Sequence, residues 1–262
     1  MEAPAGGGMA PCALILAAGI GKRMAGDLPA HLRQPKALLR FGGTSLLARH
    51  VAILGRAGIA DITVVAGFMA DAIRAEIATL PQAGPHVHVI VNPDFREGSV
   101  VSLHAGAAVL GHGGPVLLMD ADVIYDHRLM ARLLGSAHAN CLLLDRDIEP
   151  GDEPVKLCIA GGTITDFHKR PRAAYEWYGE SVGFFRFDAI AAAELADRAA
   201  QYVADGRRAM EYEEPIRDMM LASAADRFGF EDISGLPWTE IDFQEDVAKA
   251  AALLPELNEA LT

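Results

Sequence analysis

What this 262-residue chain lacks most clearly is positive charge: 35 Asp and Glu stand against 23 Lys and Arg, a formal net charge of −12. That balance disfavours general binding to nucleic acid or to an anionic membrane. An acidic chain that handles a polyanion must cluster its few cations locally and recruit metal. Cysteine is scarce too. Cys12, Cys141 and Cys158 are scattered through apolar segments with no CxxC spacing, so the expectation is three buried, reduced thiols in a cytoplasmic protein. Long apolar runs are missing. The longest, such as 116–119, are strand-sized, which argues against a membrane span. Residues 1–11 show no basic region followed by an apolar stretch. They do not read as a signal peptide, and we expect a disordered tail there, ahead of a single domain over 12–262. Aromatic residues make up only 6% of the chain, so a cluster of three within 175–178 stands out.

What is present is alternation. Short apolar strands are expected at 13–18, 61–66, 87–91 and 115–119, and helices at 45–55, 69–79, 99–110 and 127–137. Strand and helix at this spacing imply an α/β fold with a mostly parallel sheet covered on both faces. After about residue 140 the pattern changes to strands with short turns, at 141–146, 155–159, 163–169 and 181–187, which read as a small antiparallel addition. Helices follow at 189–205 and 212–224. A last strand at 238–242 leads into a helix at 245–254. Ligands of such sheets lie beyond the carboxyl ends of the strands, so the strand-end loops are where chemistry is sought.

The first of these loops carries the strongest signal. Gly19 and Gly21 at a strand end let the backbone turn tightly and point N–H groups at an anion. Lys22, Arg23 and Lys36 add positive charge nearby. Two common glycine motifs are excluded. The dinucleotide fingerprint needs glycine where Met24 stands, and the P-loop needs glycine at Leu16 and Ser or Thr at Arg23. At the next strand end, Asp120 and Asp122 face the ligand crevice, and Mg2+ favours one or two carboxylates with phosphate oxygens and water. An Asp here could instead cap the helix near 127. Alternation along 238–242 puts Glu240 and Asp242 on one face and Ile241 on the other, either as half of a metal site or as an exposed acidic strand end.

Leu16-Ala17-Ala18-Gly19-Ile20-Gly21-Lys22-Arg23-Met24, a short insert, Pro35-Lys36-Ala37-Leu38, then Gly42-Gly43 and a Leu-Leu helix resemble the sugar-phosphate nucleotidyltransferase superfamily. That resemblance implies a Rossmann-like, GT-A type fold. It implies that residues 16–22 wrap the nucleotide phosphates and that Arg23 and Lys36 neutralise the departing pyrophosphate. It makes Asp122, followed by Val123, a Mg2+ ligand, with Asp120 a neighbour of open role. The insert at 26–34 is longer than in molybdopterin-type relatives, which counts against that branch. Trp238-Thr239-Glu240-Ile241-Asp242, followed by Asp246 and Ala250, is similar to the phosphocholine and 2-aminoethylphosphonate cytidylyltransferases. By that likeness Asp242 is the second metal ligand and CTP the nucleotide.

Weaker likenesses agree. Asn92-Pro93 followed by Ser99 and Ser102 resembles a stretch that meets the nucleotide, although either serine could simply cap a helix. Ala66 and Gly67 could approach the base. Lys156 resembles a lysine near the reacting phosphates, or is a solvated strand lysine. Gly179-Glu180-Ser181-Val182-Gly183 resembles a turn beside the acceptor. Choline and aminoethyl groups are cations, and rings with carboxylates hold cations. The acceptor candidates are therefore Tyr175, Trp177, Tyr178, Glu180, Ser181, Tyr212, Glu213, Trp238 and Glu240. A trimethylated ammonium calls for a cage of rings, and a primary amine for carboxylates and carbonyls. The implied partners are CTP and a small phosphorylated acceptor, neither nucleic acid nor membrane, with self-association left open. Competing expectations are a sugar-1-phosphate or molybdopterin nucleotidyltransferase using another triphosphate, and a nucleotide-binding sensor without turnover.

Overall fold

The computed structural model describes residues 9–26, 33–148 and 154–259. The expected tail over 1–8 and the middle of the 26–34 insert lie outside them. In chain order the first half runs β1 (Cys12–Ala17), α1 (Lys22–Ala25), β2 (Arg40–Phe41), β3 (Thr44–Ser45), α2 (Leu46–Arg56), β4 (Asp61–Ala66), α3 (Ala70–Ala78), β5 (His86–Val91), α4 (Ser99–Ala105), α5 (Ala107–Leu110), β6 (Val116–Asp120), β7 (Val123–Tyr125) and α6 (His127–Gly135). The second half runs β8 (Cys141–Asp145), β9 (Lys156–Ala160), β10 (Thr163–His168), β11 (Trp177–Phe187), α7 (Ala189–Ala204), α8 (Glu213–Leu221), β12 (Gly229–Asp232), β13 (Trp238–Glu240) and α9 (Gln244–Glu259).

The main sheet is mixed. Strands β6, β1, β4 and β5 are parallel neighbours, β11 runs antiparallel to β6, β8 and β9, and β12 joins β8 in parallel. Period-two alternation on β1 sends Ala13, Ile15 and Ala17 into one apolar core and Cys12 and Leu14 into the other. The first core is closed by α2, α3 and α6, through Leu47, Ile73 and Leu129. The second is closed by α4, α5, α7 and α8, through Leu103, Leu110, Leu195 and Ile216. A strand buried on both faces reads as a continuous apolar run, which is why 13–18 carried no visible alternation. Side-chain caps start the helices: Ser45 Oγ accepts from Ala48 N–H, and Asp188 Oδ1 from Ala191 N–H. At the start of β1, Gly114 packs against the Met9 backbone and Cys12 N–H donates to the Pro115 carbonyl.

Several expected boundaries shift. The helix over 99–110 is two helices, because Gly106 ends α4 and starts α5. The chain passes so close to β1 there that a Cβ would lie 2.6 Å from Leu14 Cδ2. The strand expected from 181 begins at Trp177, and the one expected to reach 242 stops at Glu240. Residues 179–183 are therefore the middle of a strand with a bulge, not a turn. Gly42 and Gly43, both at positive φ, make the tight connection between β2 and β3. The pairing that positions the site is β7 with β13, where Val123 faces Glu240 and Tyr125 faces Trp238. One residue on, Ile241 N–H donates to the Asp122 carbonyl. Among the described residues no helix is long and apolar enough to cross a membrane.

Candidate active site

A cleft of about 1010 Å³ opens beyond the carboxyl ends of β1 and β6. Its near wall is the turn after β1. Gly21 takes φ +64 there, and the Lys36 side chain packs where its Cβ would point. Lys22, Arg23 and Lys36 all line the cleft. Lys36 reaches furthest. Its Nζ donates to Asp122 Oδ2 at 2.8 Å and to Asp242 Oδ1 at 2.5 Å. Burial works against the Lys36 charge, but those two carboxylates override it and hold its pKa above the ordinary lysine value. Arg23 Nη1 lies 3.3 Å from the other oxygen of Asp242, with its guanidinium 5.6 Å from the Phe243 ring centre. A side cavity of about 300 Å³ adjoins the turn, lined also by Phe95, Arg96 and Glu97.

Asp122, Glu240 and Asp242 each offer an oxygen within 4.8 Å of the others. They come from β6–β7 and β13, far apart in sequence, and the β7–β13 pairing joins them. Hard carboxylate oxygens at this spacing fit Mg2+, and Lys36 Nζ already stands as a cation between two of them. The donor set therefore suits the ion the sequence implied. Glu240 belongs to it although its strand ends there, because Ile241 is buried and turns Asp242 back to the same side. Burial, then the charges of Asp122 and Asp242, push the Glu240 carboxyl well above the usual range. The helix cap that could have claimed Asp122 is instead Asp126, whose Oδ1 accepts from Arg128 N–H at 2.8 Å.

The far wall is acidic as well. Asp120 Oδ2 accepts from the Tyr212 hydroxyl at 2.6 Å. Burial, then the neighbouring Asp122 and Glu213 charges, raise the Asp120 pKa well above the usual carboxylate value. Gly183 lies directly beneath, at φ +75, where a Cβ would overlap the Asp120 carboxylate. Beside them Glu213 opens α8. Its Oε2 is sealed from solvent without a hydrogen-bond partner, and burial, then Glu211, push its carboxyl up to about 8. Trp238 Nε1 donates to Asp145 Oδ2 at 2.7 Å.

The structure thus brings Leu16, Ala18, Gly19, Lys22, Arg23, Lys36, Ser99, Ser102, Asp120, Asp122, Glu180, Ser181, Tyr212, Glu213, Trp238, Glu240 and Asp242 to one cleft, with Gly21 on the side cavity. Others expected there are elsewhere. Ala17 and Ala66 are core residues. Gly67 is closed off by Phe95 and the Ala18 carbonyl, so its missing side chain serves packing inside the protein. Asn92 is buried and holds its own turn, donating to Ser102 Oγ and accepting from Asp94 N–H. Ser99 Oγ accepts from Tyr212 N–H at 2.8 Å, so it fastens the far wall to α4. Lys156 does not line the cleft; its Nζ donates to the Lys169 carbonyl, 5.8 Å from the Tyr178 ring. Tyr175 packs edge-on against Tyr178, while Trp177 meets Phe230 and the Arg146 guanidinium, and none of the three lines the cleft. Sequence reasoning missed Lys169, Glu97, Asp145, Glu211 and Gly183 as wall residues. Only Gly183 had a signal, as the last glycine of the 179–183 stretch.

Comparison with known proteins gives the same direction. Residues 13–182 match the model of the MobA-like NTP transferase domain. Over 250 residues, 91% of this chain, 28% are identical to a Streptomyces rubellomurinus protein named CMP-5'-(3-aminopropyl)phosphonate synthase, of whose length 38% is covered. A Campylobacter jejuni protein named CTP:phosphoglutamine cytidylyltransferase is 22% identical over 258 residues, 90% of this chain and 97% of its own length. The chain spans 38% and 50% of the length of two of the curated relatives it matches. In fold, it superposes on the inositol-1-phosphate CTP transferase from T. maritima with a TM-score of 0.74 at 18% identity, over 97% of this chain and 98% of the other.

Proposed function

The chain belongs to the MobA-like NTP transferase domain family, and from that membership we propose that it transfers CMP from CTP to a small phosphorylated or phosphonate acceptor and releases pyrophosphate. The observation that carries this is Lys36, bridging Asp122 and Asp242 on the wall of a cleft whose glycine turn also presents Lys22 and Arg23. CTP rests on the cytidylyl chemistry in the relatives' names. We assign the base to the side cavity beside the turn, which shares Lys22, Arg23, Ser99 and Ser102 with the cleft.

The reaction is an in-line displacement at the α-phosphorus. A phosphate monoester has a second pKa near 6, roughly, so the acceptor oxygen is already ionised at neutral pH. No general base is required, and none of the histidines is assigned one. Rate comes from positioning and charge neutralisation. The amides of 19–21 with Lys22 hold the triphosphate, and Arg23 and Lys36 meet the charge that grows on the leaving pyrophosphate. Asp122 and Asp242, with Glu240 beside them, would hold Mg2+, and the ion would supply neutralisation of phosphate charge. The three buried free thiols suit a reducing cytoplasmic setting.

The test is pyrophosphate release from CTP, UTP, GTP and ATP, each against 2-aminoethylphosphonate, phosphoethanolamine, phosphocholine and glucose 1-phosphate. We expect release with CTP and an amino-bearing acceptor, abolished by chelation and restored by Mg2+. Turnover confined to another triphosphate, or to glucose 1-phosphate, would sink the assignment.

A further inference from the structure

A cavity that takes a polyanion must have its own carboxylates answered. Among the described residues, four cations, Lys22, Arg23, Lys36 and Arg96, and two carboxylates, Glu97 and Asp242, line the side cavity. Asp242 is answered from within, by Lys36 and Arg23. Glu97 is answered from outside. Its partner is Arg208, which lines neither the cleft nor the side cavity. Arg208 Nε donates to Glu97 Oε2 at 2.6 Å and Nη2 to Glu97 Oε1 at 2.9 Å, a two-pronged grip that a planar guanidinium fits and an ammonium does not. The same Nη2 donates to Asp94 Oδ2 at 2.8 Å. The bonds from Arg208 hold the Glu97 pKa below its ordinary value, so the carboxyl is charged at neutral pH.

The backbone, not this grip, fixes where Arg208 stands. Gly98 N–H donates to the Arg208 carbonyl at 2.8 Å, and Val100 N–H to the Met210 carbonyl at 3.2 Å. The two segments run so close that a Cβ on Gly98 would lie 2.2 Å from the Met210 oxygen. Ser99 Oγ adds a third tie, accepting from Tyr212 N–H. These contacts survive loss of the Arg208 side chain. The ion pair itself is partly open to solvent, with Arg208 32% and Glu97 39% exposed, and such pairs add little to stability. Its consequence lies in the charge that Glu97 shows to whatever enters the cavity.

We propose that Arg208 is a positioning residue for the triphosphate: by clamping Glu97 from behind, with Asp94 beside it, Arg208 cancels the one carboxylate charge that the cavity's own cations leave unanswered, and so lets a nucleoside triphosphate enter. This rests on the transferase assignment above for the triphosphate. It adds a residue that belongs neither to the glycine turn nor to the cavity lining, and that acts only through Glu97. Without it the Glu97 charge opposes the phosphates, a repulsion that salt screens.

The experiment is calorimetric titration of the full chain with CTP, UTP, GTP and ATP in turn, with Mg2+ and no acceptor, at low and high salt. The charge argument concerns the phosphates, so it applies to whichever triphosphate the wild type binds. Arg208→Ala should weaken that binding by about fivefold at low salt, the upper worth of an exposed ion pair, and by less at high salt. Adding Glu97→Gln to Arg208→Ala should restore most of the loss. Glu97→Gln alone should bind the triphosphate tighter than the wild type at low salt. If the grip serves only to hold the loop, the double variant stays as weak as Arg208→Ala, and that result overturns the proposal. So does unchanged binding in Arg208→Ala, or equal or weaker binding in Glu97→Gln. Should Arg208→Ala fail to fold, Glu97→Gln against the wild type still decides. A wild type that binds none of the four triphosphates removes the transferase assignment and this proposal with it. A triphosphate bound equally by every variant removes this proposal alone.

Discussion

The two walls of the cleft are built in opposite ways. The near wall, residues 19–23 with Lys36, is a glycine turn with three long cations, one of them tied to two carboxylates and one to a single carboxylate. The far wall is short acidic groups fixed one by one: Asp120 by Tyr212, Gly183 fitted beneath it, Trp238 by Asp145. A wall of amides and flexible cations suits what every nucleoside triphosphate has in common. A wall of individually pinned carboxylates suits one acceptor. Substitutions on the near wall should therefore cost turnover, and on the far wall should show in stability and acceptor choice.

The largest effect should come from the near wall. Lys36→Ala should lower kcat/KM for pyrophosphate release by about a hundredfold, roughly 3 kcal/mol. Near-normal turnover in a folded variant would erase the contrast between the walls. On the far side, Gly183→Ala places a Cβ into the Asp120 carboxylate at a φ that L-residues rarely adopt. It should lower Tm by several degrees, the result of about 1–3 kcal/mol of strain in a chain of this size. An unchanged Tm would mean that Asp120 can move aside. The smallest effect is a pH-dependent one. Folded Glu213 keeps its proton to about 8, whereas an unfolded glutamate has lost it near 4.5. The native state then binds more protons, so stability falls as pH rises through that window. The groups that face it are Glu211, Lys169 and Glu240. Glu213→Gln should match wild-type Tm at pH 4.5 and exceed it by about 2–4 °C at pH 8, for roughly 1 kcal/mol regained. A gain at both pH values, or at neither, would show that the carboxyl is not strained in the corner.

The same division governs what was legible in the sequence. The near wall could be read because its residues are close in sequence: glycines, Lys22, Arg23 and Lys36 follow one strand, and local turn chemistry carries the meaning. The parallel core was legible for the same reason, through apolar runs at regular spacing. Asp122 and Asp242 could be joined into one metal site only through the family resemblance, since β7–β13 pairing leaves no local trace. The far wall was hardest. Tyr212 and Asp120 are 92 residues apart, and nothing near either predicts the contact. The cluster at 175–178 misled because β11 pairing with β9 sets Trp177 against Phe230 and Arg146, while Tyr175 and Tyr178 pack on each other. Composition could count the rings but not say which side they face.

Lys36 lies in the grip of the two oxygens that a divalent ion would also claim. On the proposed reading, an ion arriving at these carboxylates would compete with the lysine, and a triphosphate would give the lysine another partner. Linkage makes the bargain mutual: whatever factor the nucleotide adds to the ion's affinity, the ion returns to the nucleotide. On the proposed reading, ion and triphosphate would each ease the other's entry.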